Sequence, residues 1–177
     1  VSKSGQSTDI AGRLDKFFKA VADRVQNEIF SEKQRNTSIL MLGSAPASLA
    51  VPVLAELLTP STSIDAQQST ISSLSSIGGE SASALMIESF SSLSPALKKQ
   101  ITEALLSRQD WTSLLLTAIS EKTIPAIEMP REQKEILLNH PNTAIRTQAR
   151  KVLAAEIAGD RSAVIKKYRP AISETGQ

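Results

Sequence analysis

Residues 131–156, REQKEILLNHPNTAIRTQARKVLAAE, decide the fold. Their apolar residues come in two runs at helical spacing. Ile136, Leu137 and Leu138 sit in a short helix predicted over 131–139. Ile145, Ala149, Val152 and Leu153 mark one face of a second, predicted to run to about Ala158. Between them stands His140-Pro141-Asn142. Proline cannot continue the first helix, and Asn142 can accept the orphan N–H groups that open the second. A helix pair this short buries its apolar faces only against neighbouring pairs.

The same pattern extends upstream. Leu105-Leu106 and Leu114-Leu115-Leu116 each lie in an amphipathic segment of similar length. A first helix is expected from Asp9 to Phe30, capped by Thr8 or Asp9, with Ile10, Leu14, Phe17, Phe18, Val21, Val25 and Ile29 on one stripe. Glu32 to Leu42 follows, closed by Gly43 in a left-handed position. The next helix ends at Leu58. It either starts at Ala47 with Pro52 inside or, by preference, at Val51 with Pro52 in its first turn. Asp65 to Ile77 precedes Gly78-Gly79. Glu80 to Leu93 carries Ala84, Leu85, Ile87 and Phe90 toward a core. Ser94-Pro95 starts a helix with Leu97, Ile101, Ala104 and Leu105, and Asp110 caps Trp111 to Glu121. Arg161 to Arg169 is a last short helix.

Two segments repeat in register. Leu40-Met41-Leu42-Gly43 matches Leu74-Ser75-Ser76-Ile77-Gly78, and Pro52–Glu56 matches Ala84–Glu88. A helix-pair period of about 30 to 40 residues predicts a helical solenoid. The expected fold class is all-α: a HEAT- or armadillo-like right-handed α-α superhelix of about nine or ten helices. It should occupy residues 9–172 as one domain, between a frayed segment at 1–8 and a polar tail at 173–177. The polar start without Met leads us to expect a piece of a longer protein.

Composition narrows the chemistry. Hydrophobic residues make up 41% of the chain and aromatics 3%, so the core must be aliphatic. Cysteine is absent, which removes disulfides, thiolate catalysis, thiolate metal sites and covalent haem from these residues. No apolar run is long enough to span a bilayer. The net charge is +2, unevenly spread. No Lys or Arg stands between Arg35 and Lys98, whereas Arg146, Arg150, Lys151, Arg161, Lys166, Lys167 and Arg169 crowd the end.

Single residues add little chemistry. His140 is the only histidine, so it lacks partners for a metal site and reads as a helix-end residue satisfying carbonyls. Asp110 reads as a cap and Trp111 as a first-turn packing residue. Glu132 and Glu135, flanked by Arg131 and Lys134, read as a solvated face. No nucleophile elbow accompanies the many serines, and Gly78-Gly79 lacks the pattern of a phosphate loop. Arg161, Lys166, Lys167 and Arg169, with Tyr168, form the best candidate for a partner-contact surface.

Arg131 to Arg150 resembles the HEAT-type signature in which a helix ends on Leu137-Leu138 and His140, a turn carries Asn142, and Ile145-Arg146 opens the next helix with Ala149. In that likeness Ile145 and Ala149 face the core and Arg146 reaches along the stack. The continuation through Asp160 to Ile172 is similar to the segment before the c-type cytochrome module of large planctomycete-type multidomain proteins. Those proteins join a membrane-bound-dehydrogenase-like propeller, HEAT-like helices and a terminal Cys-x-x-Cys-His haem motif. The resemblance covers about Arg131 to Gln177 and implies an extracytoplasmic spacer. This chain ends before any such motif, so neither haem chemistry nor dehydrogenase activity transfers to its residues.

The expected function is a non-enzymatic scaffold or interaction spacer that needs no cofactor. Its expected partners are other domains of the parent protein or another protein; nucleic acid and membrane insertion are not expected. One alternative is a helical-repeat base-excision enzyme of the alkylpurine-glycosylase type. That reading needs basic residues along a concave surface, which the base-free middle does not supply. A second is a docking domain for an adjacent c-type cytochrome.

Overall fold

Capping residues, prolines and two glycines cut the chain into helices. The structure, a computed structural model, describes residues 3–155. It contains α1 (Lys3–Gln26), α2 (Glu32–Leu42), α3 (Ala47–Ala55), α4 (Ile64–Ile77), α5 (Gly79–Ser89), α6 (Pro95–Leu106), α7 (Gln109–Ser120) and α8 (Arg131–Leu138). A ninth helix, α9, spans 143–155. Single 3-10 turns follow α5 and precede α8. The described residues are all-α, with no strand among them. The helix expected at 161–169 and the tail at 173–177 lie outside the described residues.

Several boundaries differ from expectation for local reasons. α1 begins at Lys3, upstream of the expected cap, and stops at Gln26. There the Asn27 side chain accepts the Ile29 N–H at 3.0 Å and the Asn27 carbonyl accepts the Phe30 N–H at 3.2 Å. That turn competes with the helix and leaves Ile29 87% exposed, off the expected stripe. Ser31 then opens α2 with a reciprocal capping box to Gln34.

Gly43 corrects the expected left-handed stop: its backbone is right-handed at φ −59°. It is needed for a close approach. A Cβ there would stand 3.3 Å from Ser73 Cα and 3.3 Å from Ser76 Cβ, where α2 crosses α4. α3 starts at Ala47 rather than Val51, because Pro46 serves at its N-cap, and Pro52 sits inside the helix. α6 starts at Pro95 as expected, although the Ser94 hydroxyl makes no capping bond. α7 starts at Gln109 with Arg108 at its N-cap, so Asp110 lies in the first turn and is not the cap. After α7, Lys122 takes a left-handed φ of 64°. Its N–H bonds the Ile119 carbonyl and the Thr123 N–H bonds that of Ala118, the two bonds of a Schellman closure.

The packing order is regular. α2 packs on α4, α4 on α6 and α6 on α8, while α3 packs on α5 and α5 on α7. α1 covers α2 and touches α3. The first set of helices starts at residues 32, 64, 95 and 131, and the second at 47, 79, 109 and 143. Leu42, Leu54, Ile71, Leu74, Met86 and Phe90 form one continuous core with Leu97, Ile101, Leu105, Trp111, Leu115 and Leu137. The α5 face is rotated from expectation. Ala82, Met86 and Phe90 are buried, Ala84 is exposed, and Leu85 and Ile87 are half-buried. Neighbours on three sides, α3, α4 and α7, select that face.

Polar side chains tie the layers at the same period. Among the described residues, every side-chain hydrogen bond between distant segments links positions 28 to 34 apart. A motif recurs in the α2–α4–α6–α8 set. Ser73 donates to the Ile39 carbonyl, Gln100 to that of Gln68 and Gln133 to that of Lys99. Each is a side chain reaching a backbone carbonyl on the preceding helix of the set. The serine-rich middle is explained by the same bookkeeping. Thr70, Ser72, Ser75 and Ser76 return their hydroxyls to the carbonyl four residues back, so they need no external partner.

Candidate functional site

The residues singled out from sequence are placed as structural elements. His140 is buried, and its Nδ1 accepts the Asn142 N–H at 3.1 Å. It braces the α8–α9 turn as an acceptor, rather than donating to helix carbonyls as expected. Asn142 caps α9 as expected, its Oδ1 accepting from the Ala144 N–H at 2.9 Å. Arg146 does not reach along the stack. Its guanidinium donates to the His140 carbonyl at 2.6 Å and to Thr143 Oγ1 at 3.1 Å, closing the same turn. Ile145 and Ala149 are buried, on the core side.

Trp111 is fully buried, with the Arg108 guanidinium 5.0 Å above its ring. Its indole N–H has no hydrogen-bond partner among the described residues. Gly78 lets Arg108 pass: a Cβ there would come within 2.9 Å of Nη1. Gly78-Gly79 is thus a crossing point, with φ of 71° and 75°. Glu135 pairs with Arg131 at 2.9 Å, and Glu132 is exposed beside it. On the outer face of α1, Asp15 accepts a hydrogen bond from Lys19 and pairs with its charge at 2.8 Å, raising the Lys19 ammonium above its ordinary value. Among the described residues, no group of three His, Asp or Glu side chains can hold a metal ion. None of their helices is long and apolar enough to cross a membrane. The cluster Arg161, Lys166, Lys167 and Arg169 lies outside the described residues.

Three surface features were not anticipated. The first is a cleft of about 370 Å³ between the end of α1, α2, the chain leaving α3 and the start of α4. Glu32, Arg35, Asn36 and Ile39 line it from one stripe of α2. Val25, Leu57 and Ala66 supply apolar wall, and Ser61, Thr62 and Ser63 form a polar lip. The lip is held by bonds from Thr59 Oγ1 to Ser61 and Thr62, and by Gln67 donating to the Thr59 carbonyl. Two buried polar atoms of the residues that line it, Arg35 Nε and Asn36 Oδ1, have no hydrogen-bond partner among the described residues. Sequence reading missed this cleft because its lining comes from four separate segments.

The second is a shallower groove of about 310 Å³ between α5 and α7. Ala84, Ile87, Leu114 and Ala118 make its floor, and the carboxylates of Glu80, Glu88 and Glu121 stand along it with no base among its lining. The third is the outer part of α1. Ile10, Leu14 and Phe17 remain 56%, 51% and 46% exposed, although they stand in helical register with the buried Val21 and Val25. The stripe legible in the sequence is real in spacing from Ile10 to Val25, but only Phe18, Val21 and Val25 of it meet the core.

No family model matches the chain, and neither a curated protein nor a solved structure matches it.

Proposed function

We propose that this chain is a HEAT-like α-solenoid acting as a non-catalytic scaffold, an interaction spacer within a larger protein. The observation that carries the reading is the constant sequence separation of 28 to 34 residues in the polar bonds between helices. Repeat units that contact only their neighbours produce such a constant offset. The alternation of contacts, α2–α4–α6–α8 and α3–α5–α7, supports the same reading. So does the structural use of His140, Trp111, Arg146 and the helix serines. The interaction role is supported by large apolar side chains left at the surface in register, Ile10, Leu14 and Phe17.

In the setting implied by residues 131–177, the scaffold would stand between an upstream propeller and a downstream cytochrome module. The base-excision alternative draws no support from the α5–α7 groove, which carries carboxylates where DNA needs cations. The reading is tested by photo-crosslinking in the native cells, with the reactive group at position 14, at position 87 and at the exposed control position 127. A scaffold gives a recurrent crosslink to one defined segment from position 14 or 87 and none from 127. Equal, diffuse labelling from all three positions would overturn it.

A further inference from the structure

We propose that the groove between α5 and α7 docks a basic amphipathic helix of a partner protein. The inference rests on the scaffold reading and names the chemistry that one of its surfaces accepts. The groove is open to solvent. Ala84 and Thr117 are exposed in it, and Ile87 and Leu114 are half-buried. Its apolar carbons therefore meet water, and covering them is favourable. The hydroxyls in it are already used. Ser83 donates to the Glu80 carbonyl at 2.9 Å and Thr117 to that of Ser113 at 3.1 Å, each within its own helix. The floor thus asks for apolar surface rather than for a hydrogen-bonding ligand.

Charge refines the class. Glu80, Glu88 and Glu121 are exposed along the groove, with no base in its lining. They enter none of the ion pairs among the described residues. The sequence holds no Lys or Arg between Arg35 and Lys98, so α3, α4 and α5 have no cation of their own to offer them. An apolar partner without cations would bring uncharged surface against three carboxylates, and an acidic one would meet repulsion. Lys or Arg beside the apolar residues removes both costs. Nucleic acid and an anionic membrane surface carry the wrong sign.

The spacing of the lining residues fits a helix. Glu80, Ala84, Ile87 and Glu88 form one stripe of α5, and Leu114, Thr117, Ala118 and Glu121 one stripe of α7. Glu80 and Glu88 stand about 12 Å apart along the α5 axis. A docked helix sets its own residues at the same spacing, so bases at both ends of an apolar stripe reach both carboxylates. Small Ala84 and Ala118 lower the floor between Ile87 and Leu114, which lets a ridge of side chains settle between the two helices. Contact over about two turns makes a small interface, so the association is weak and reversible.

The test is fluorescence anisotropy of a labelled alanine-based peptide titrated with the intact chain. The peptide carries leucines at helical spacings of three and four and lysines beside both ends of that stripe. It should bind saturably, and about tenfold more weakly at an ionic strength of about 1 M. Combining Glu80→Gln, Glu88→Gln and Glu121→Gln should weaken it by about the same factor. So should Ala84→Phe, which fills the floor and leaves every charge in place. Glu132→Gln, an exposed acid on α8, should change nothing. Helicity and the emission of the buried Trp111 report whether each variant is folded. If a variant does not fold, two altered peptides decide on the unchanged chain: glutamate in place of lysine, or serine in place of leucine, should each bind about tenfold more weakly or worse. No saturable binding of the basic peptide, or equal binding of either altered peptide, would overturn the proposal. Self-association of the free chain that the glutamine variant abolishes would also overturn it, by giving the groove to a second copy. Crosslinking in cells separates the two readings. A recurrent crosslink from position 87 to a segment without bases overturns this inference and leaves the scaffold. Saturable peptide binding with diffuse crosslinking overturns the scaffold and leaves the groove its basic ligand.

Discussion

Gln133 offers the sharpest check on how neighbouring helices are held in register. It is buried at the α6–α8 contact, where its amide donates to the Lys99 carbonyl at 3.0 Å and accepts from the Thr102 hydroxyl. Gln133→Ala removes both hydrogen bonds, together about 1 to 2 kcal/mol because Thr102 and the Lys99 carbonyl keep each other as partners, and one buried methylene of about 0.8 kcal/mol, and leaves a small cavity. The total is about 2 to 3 kcal/mol, or a fall in Tm of about 4 to 12 °C for a chain of this size. Thr102→Val acts differently. It strands the Gln133 carbonyl oxygen without a donor, at about 1 to 3 kcal/mol. Thr102 also donates to the Lys98 and Lys99 carbonyls, but those already serve the helix ladder and lose little.

Because both substitutions break one shared bond, their effects must not add. Urea unfolding of the two single variants and the double variant should give a coupling of about 1 kcal/mol. Hydrogen exchange should locate the loss in α6 and α8. Glu132→Ala, one residue away and exposed, should stay within about 0.5 kcal/mol of the parent. Additivity within about 0.3 kcal/mol would refute the view that this buried bond ties the two helices.

The other expectations test local geometry. Gly78→Ala should cost about 1 to 3 kcal/mol in thermal unfolding, since φ 71° with ψ −165° belongs to a region nearly reserved for glycine and the new Cβ meets Arg108; an unchanged Tm would remove that account. Lys122→Gly should stabilise by about 0.5 to 1 kcal/mol, because Lys122 occupies the left-handed position of a complete Schellman closure; a loss in urea unfolding would contradict it. Trp111→Ala should cost about 3 to 5 kcal/mol. Trp111→Phe should cost far less, since the indole N–H makes no hydrogen bond among the described residues; equal losses in a urea titration would contradict that account.

The helices themselves were largely legible in the sequence, for reasons that lie within a few residues. Asn142 caps α9, Ser94-Pro95 opens α6 and the glycine pair divides α4 from α5, because capping and breaking are short-range chemistry. Where two local signals compete, the reading failed. Asn27 ends α1 early by accepting the Ile29 N–H on its side chain, and Pro46 starts α3 ahead of the more conspicuous Pro52. The candidate cleft was not legible at all. Its Arg35 and Asn36 lie on a helix that reads as ordinary, and only the end of α1 and the loop at 59–63 make them the lining of a pocket.

By itself, then, the sequence determined that the chain is helical and roughly where each helix starts and stops, since the spacing of apolar residues, prolines and caps acts along the chain. Tertiary structure alone decided which faces are inside. It turned α5 onto Met86, used Gly43 for contact with α4, left Ile10, Leu14 and Phe17 at the surface, and aimed Gln133 at a carbonyl 34 residues away. Burial depends on the neighbour a helix meets, and that neighbour is set by packing across the fold.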